Sequence, residues 1–269
     1  TSGRVPVATS STTIGDDAGF TYNSTTNKLT VDSMRSLKNI PDTVHIGWFE
    51  SDNLSDNAWF SGTSITQGVG ASSDANSFAN IVAHHLRVNE VNLGAPGNVL
   101  QHSPTWPNSL TLKDTYTTVI TAKGANDRYL FFAWGENDIT HDYSGIYDLD
   151  TAWFKRDYVI ILNYALSVGW SLSDIRIISP FYQTGVPLPD QQKYVDAAKH
   201  IADSMGIQYI NVFSANKALL ADNIHPYDRG HAQAANIIIS AMEQPLQIKV
   251  GETLVNAGTT VLNKTYFFG

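Results

Sequence analysis

The residues predict a three-layer α/β/α sandwich on a five-stranded parallel sheet, with a small N-terminal β appendage. Three observations lead there. Short apolar runs alternate with stretches of helical period from Val44 to about residue 243. The run Tyr129-Leu-Phe-Phe-Ala-Trp134 is apolar without a break, which requires cover on both faces of its sheet. Residues 1 to about 40 differ from the rest, because Thr, Ser, Asn, Asp and Gly punctuate very short apolar runs.

In order, Val5-Pro-Val7, Phe20-Thr-Tyr22 and Leu29-Thr-Val31 read as strands of small hairpins, with Asn23-Ser-Thr-Thr-Asn27 as one turn. Strands this short bury no core alone, so they are expected to pack on a neighbour or on symmetry-related copies. Val44-His-Ile-Gly-Trp-Phe49 suits an edge strand and Ala58-Trp-Phe60 the first central one. A helix over about 74–87, capped by Ser72 or Ser73, puts Phe78, Ile81, Val82 and Leu86 on one face. Glu90-Val-Asn-Leu93 follows as a strand, then a helix marked by Leu112, Tyr116 and Val119, then the apolar run to Trp134. A helix over about 151–168 stops near Gly169 and leads to the strand Ile175-Arg-Ile-Ile178. The helix after Pro189 carries Tyr194, Val195, Ala198, Ile201, Ala202 and Met205 and stops at Gly206. Gln208-Tyr-Ile-Asn-Val-Phe213 is the fifth strand, and the last helix, about 228–243, buries Ala235, Ile238, Ile239 and Met242. Residues 246–269 return to strand character with a turn at Asn256-Ala-Gly258 and no assigned place. The organisation is therefore an appendage over 1–43, an α/β domain over 44–245 and a β extension over 246–269.

A formal charge of -8 without a Lys/Arg cluster argues against nucleic acid and anionic membrane as partners. The absence of cysteine removes disulfides, thiolate metal sites and thiol nucleophiles. No apolar run reaches membrane-spanning length and no signal peptide is visible. The start at Thr1 without methionine reads as a piece of something longer or processed.

Chemistry gathers where strands end. In Ala58-Trp-Phe-Ser-Gly-Thr-Ser64 an apolar run breaks at Gly62 and delivers Ser64 to the carboxyl edge of the sheet, where open α/β folds bind ligands. Alone, this pattern fits a capped turn as well as a nucleophile. Three further segments favour the nucleophile: Asn92-Leu-Gly-Ala-Pro-Gly97, Gly135-Glu-Asn-Asp138 and Asp222-Asn-Ile-His225-Pro. Acyl transfer to a serine needs an imidazole to carry its proton, a carboxylate to fix the imidazole tautomer, and donors for the oxyanion. Asp222 and His225, three apart on a loop, suit the second of these while the other ring nitrogen reaches Ser64.

These four blocks, in order across roughly 57–243, resemble the SGNH, or GDSL-type, serine hydrolase superfamily. The resemblance implies Ser64 as nucleophile, His225 as acid and base, Asp222 as its orienting carboxylate, and an oxyanion hole of the Ser64 amide, an amide of Gly97 and the Asn137 side chain. Gly97 is preferred to Gly94 because it closes the Asn-x-x-x-x-Gly pattern. The usual Gly-Asp-Ser is here Gly62-Thr-Ser64, a departure that bears on subfamily and substrate. Thr66 breaks the Gly-x-Ser-x-Gly elbow of α/β-hydrolases, and Asp222 stands only three residues before His225, both of which favour the SGNH type.

Other candidates give way to plainer readings. His84 and His85 are adjacent on a helix, so one is expected half-buried and the other in solvent rather than both on a metal. Asp138, His141 and Asp142 match no ligand spacing and read as a polar loop. Gly68-Val-Gly70 lacks the rest of a dinucleotide fingerprint, and no cofactor is implied. Trp134 and Trp106 either edge the crevice and stack on a sugar or serve as core and loop anchors. The expected activity is hydrolysis of short acyl esters, acetyl foremost, on a carbohydrate. Gly3-Arg-Val-Pro-Val7, Asp16-Asp17, Phe20-Thr-Tyr22 and Asn27-Lys-Leu-Thr-Val31 resemble a motif of phage tail-fibre and related trimeric surface proteins. That likeness implies a homotrimer with an extracellular or virion setting, and a competing role as a glycan-binding module with little catalysis.

Overall fold

The computed structural model describes residues 14–15, 20–23, 28–31, 55–145, 148–214, 223–243, 247–250 and 253–256. The chain divides into two units, Thr1–Asn53 and Leu54–Gly269. In the first, β1 (Ile14–Gly15), β2 (Phe20–Asn23) and β3 (Lys28–Val31) form an antiparallel sheet in that order. Phe20 pairs with Val31 and Asn23 with Lys28, as the expected hairpin requires. The predicted strands at 5–7 and 44–49 lie outside the described residues.

The second unit holds five parallel strands: β4 (Asn57–Gly62), β5 (Asn89–Gly94), β6 (Asp127–Ala133), β7 (Ile175–Ile178) and β8 (Gln208–Ile210). Their order in space is β5-β4-β6-β7-β8, so the winding reverses between β4 and β6. A crevice opens at the carboxyl ends of strands at such a reversal.

Alternation along the strands other than the edge strand β5 feeds two cores. Ala58, Phe60, Phe131, Ala133, Ile178 and Ile210 face α1 (Ser64–Gln67), α2 (Phe78–Leu86) and α7 (Asp228–Glu243). Leu130, Phe132, Trp134, Ile175 and Ile177 face α3 (Leu112–Val119), α5 (Thr151–Ser167) and α6 (Leu188–Met205). Phe60 and Phe131 stack across the two central strands at 4.7 Å between ring centroids. Helix ends follow their local chemistry: Asp150 accepts from the Trp153 amide at 2.7 Å to start α5, and Gly206, at φ 70°, ends α6.

Three expectations are corrected. The helix expected over 74–87 is a 3₁₀ turn, Asp74–Asn76, followed by α2, because Ser77 is extended and its hydroxyl accepts from the Asn80 amide. Ser72 is instead bound by Asp228. Residues expected as a polar loop after β6 form α4 (Glu136–Ser144), whose buried side chains are Glu136, Asp138 and Ile139 and therefore show no apolar period. His84 and His85 are both exposed, since α2 turns its buried face through Phe78, Ala79, Val82 and Ala83. The C-terminal strands β9 (Gln247–Val250) and β10 (Thr253–Asn256) pair antiparallel, and the turn expected at 256–258 extends beyond the described residues. Among the described residues no helix is long and apolar enough to cross a membrane.

Candidate active site

β4 ends at Gly62, and the chain turns through Thr63 into α1 with Ser64 as its first residue. The turn is tight. A side-chain carbon on Gly62 would lie 2.5 Å from the Ala133 carbonyl oxygen and 2.0 Å from Thr66 Oγ1. Gly94, at the end of β5, meets the same helix: a Cβ there would stand 2.2 Å from the Gln67 backbone nitrogen. Gly94 is thus required for packing, whereas Gly97 has open space around it and is needed for its positive φ of 76°. Gly94→Ala is expected to cost about 2–3 kcal/mol, seen as a lower urea midpoint at unchanged m-value.

Ser64 is 8% exposed, and its Oγ lies 2.8 Å from Nε2 of His225. His225 enters from the opposite end of the chain, just before α7, and its loop is held from three sides. Gly70 (φ 97°) packs so closely that a Cβ would lie 3.1 Å from His225 Cβ and 2.3 Å from the Pro226 oxygen. Thr184 donates its amide and hydroxyl to Asn223, whose φ is 76°. Asp228 takes the amide and hydroxyl of Ser72 and the side chain of Asn76. Beneath them His231 accepts from the Phe78 amide through Nδ1 and meets the Val69 oxygen through Nε2, and burial holds its pKa below the usual value. Asp222 lies outside the described residues.

Asn137 stands in the first turn of α4 and donates from Nδ2 to the Asn98 oxygen at 2.7 Å. Its neighbours are buried acids: Glu136, which sequence reasoning passed over, and Asp138, which it read as part of a polar loop. Asp138 accepts from the amides of Leu100 and Gln101 and from the Gln101 side chain, fixing the segment after Gly97. Glu136 accepts from the Phe181 amide at 2.8 Å and from Thr63 Oγ1 at 3.3 Å. Burial raises Glu136 to about 7 and Asp138 to about 6, against the opposing effect of these donors. The only signal in the sequence is two acids flanking Asn137 directly after an apolar strand.

The two tryptophans part company. Trp134 is 1% exposed, faces the α5 side of the core and donates Nε1 to Ser61, so the crevice-edge placement does not hold for it. Trp106 is half-buried and lies 4.3 Å from the His141 ring, with Nε1 directed to the Leu110 oxygen. His141 follows Asn137 by one helical turn, and its partial burial lowers its pKa.

The model of the GDSL-like lipase/acylhydrolase family matches residues 60–233, from β4 into α7. The chain belongs to the GDSL-like lipase/acylhydrolase family. It is accordingly a carboxylic ester hydrolase. Solved structures repeat the fold of this acylhydrolase at low identity. A lipase/acylhydrolase from Enterococcus faecalis is 16% identical with a TM-score of 0.52, covering 70% of this chain and 95% of its own. An acetylxylan esterase from Geobacillus stearothermophilus is 18% identical with a TM-score of 0.55, covering 70% and 94%. A lipolytic G-D-S-L family member from Veillonella parvula is 17% identical with a TM-score of 0.54, covering 68% and 96%. No curated protein matches the chain significantly. The family match leaves the N-terminal unit of the acylhydrolase outside it, and nothing compared bears on the tail-fibre likeness.

Proposed function

We propose that this acylhydrolase is a serine esterase that removes short acyl groups, acetyl foremost, from a carbohydrate through an acyl-enzyme. The reading rests on the 2.8 Å contact between Ser64 Oγ and His225 Nε2 at the winding reversal of the sheet. As Oγ attacks the ester carbonyl, Nε2 takes its proton and then returns it to the departing alkoxide; water repeats the cycle to release the acid. Asp222, assigned from the family motif, orients the ring.

The Ser64 amide, the Gly97 amide and Asn137 are assigned to the oxyanion. Asn137 spends one N–H on the Asn98 oxygen, which fixes the amide plane and leaves the second for this task. Asn137→Ala is expected to lower kcat by about 10²–10³-fold with little change in KM. Rates with p-nitrophenyl acetate check this, and an unchanged kcat removes Asn137 from the role.

Carbohydrate as the alcohol component is supported by Trp106, a half-buried indole against His141, which lies one turn after Asn137 on α4, and by acetylxylan esterases among the structural neighbours. The test is a series of p-nitrophenyl esters of increasing acyl length, followed by acetate release from acetylated oligosaccharides. Activity is expected to be highest on acetate. Preference for long chains overturns the short-acyl assignment, and no turnover on any length by folded protein overturns the esterase.

A further inference from the structure

Thr63 and Glu136 meet beneath the proposed nucleophile, joining two segments that supply the site. Thr63 is 1% exposed and Glu136 is 1% exposed, so neither has water as an alternative partner. The carboxylate binds three elements together: Oε2 takes the Thr63 hydroxyl from the end of β4, Oε1 takes the Phe181 amide beyond β7, and the residue itself opens α4 directly before Asn137. The Glu136 carbonyl oxygen is held in turn by Gln183 Nε2 at 2.6 Å and Thr140 Oγ1 at 3.1 Å. Gly135 lets the two loops close up, since a Cβ there would stand 2.7 Å from Pro180 Cγ. The ionisable groups that act on Glu136 are Asp138 and, from α5, the buried Tyr158.

We propose that Glu136 is a positioning residue that sets Ser64 against Asn137 through Thr63, and that a hydroxyl at position 63 and a carboxylate at position 136 form a matched pair. The inference rests on the esterase assignment above. Its chemical basis is donor matching. At pH 8 the Glu136 carboxyl is ionised and only accepts, so its neighbour at 3.3 Å must donate, and threonine does. Aspartate at position 63, the residue in the usual Gly-Asp-Ser, would set two buried carboxylates against each other, and that arrangement is resisted by repulsion and by desolvation.

The test is steady-state kinetics on p-nitrophenyl acetate at pH 8, per folded molecule, with a fluorophosphonate to count reactive serine. Thr63→Val and Glu136→Ala are each expected to lower kcat about 10–100-fold with KM within about threefold, because misplacement by an ångström carries that penalty. The double variant is expected to be no worse than Glu136→Ala alone. Glu136→Gln, which keeps an acceptor for Phe181 and a partner for Thr63, is expected to recover most of the loss. Thr63→Asp is expected to lose at least about tenfold in kcat and to regain it when combined with Glu136→Gln. A role in stability alone would move Tm without this reciprocal recovery. Additive losses in the double variant, or Thr63→Asp that Glu136→Gln does not restore, overturn the proposal while leaving the esterase intact. Should Glu136→Ala fail to fold, the Thr63→Asp pair decides. A wild-type chain inert toward both ester and fluorophosphonate overturns the esterase assignment and this inference with it.

Discussion

Ser64→Ala is expected to reduce kcat on short-chain esters by about 10⁴–10⁶-fold and to leave the fold unchanged. The hydroxyl contributes its contact with His225 and little packing, since Ser64 opens a four-residue helix whose buried apolar anchor is Ile65. Loss of one hydrogen bond to a half-exposed ring alters stability by about 1 kcal/mol. His225→Ala is expected to cost a similar factor, and the two together little more, because the pair acts as a unit. Kinetics on p-nitrophenyl acetate with circular dichroism of each variant separates chemistry from folding. Residual turnover within tenfold of wild type in Ser64→Ala would place the nucleophile elsewhere.

Glu136→Gln is expected to change how stability responds to pH. Burial lifts the Glu136 carboxyl from 4.5 to about 7. Between those values the native chain holds a proton that the unfolded chain has released, so stability falls as pH rises through that window. The amide does not titrate. The variant is therefore expected to gain about 3 kcal/mol on wild type between pH 4 and pH 8, with most of the gain complete by pH 7. Asp138, raised to about 6, contributes in both proteins and largely cancels in the comparison. Urea unfolding of both proteins at pH 4, 6 and 8 measures the difference, and parallel stability curves would show that Glu136 is not held protonated by the fold.

The sheet was legible because its central strands are short, apolar and covered on both faces, and because the helices between them bury regular stripes such as Tyr194, Ala198, Ile201 and Ala202 on α6. α4 was not, since its buried face is made of acids whose partners are backbone amides of distant loops. Periodicity registers hydrophobic burial and is blind to that kind. Asp228 was missed for a different reason: Asp at a helix start reads as a dipole or capping residue, yet its carboxylate is spent on Ser72 and Asn76. Ser64, Asn137 and His225 were legible as residues of a motif. The sequence could not say which glycine packs and which turns, because the crowding at Gly94 and the positive φ of Gly97 arise only in the fold. Trp134 was ambiguous for a related reason, as a tryptophan at the end of an apolar strand belongs equally to a core and to a crevice wall.

The contact between Ser64 and His225 spans 161 positions and is held by three segments of the chain, around Gly70 and Ser72, at Thr184 and over 223–228. Its consequence lies in the history of each molecule. A chain emerging during synthesis acquires its serine early and its imidazole only when α7 docks, after the closure of a very long loop. On the proposed mechanism the hydroxyl until then has no base and is no more nucleophilic than any other serine. If ester cleavage runs through this pair, as proposed, it reports completion of the fold, and a chain interrupted before residue 223 is expected to carry a chemically silent serine.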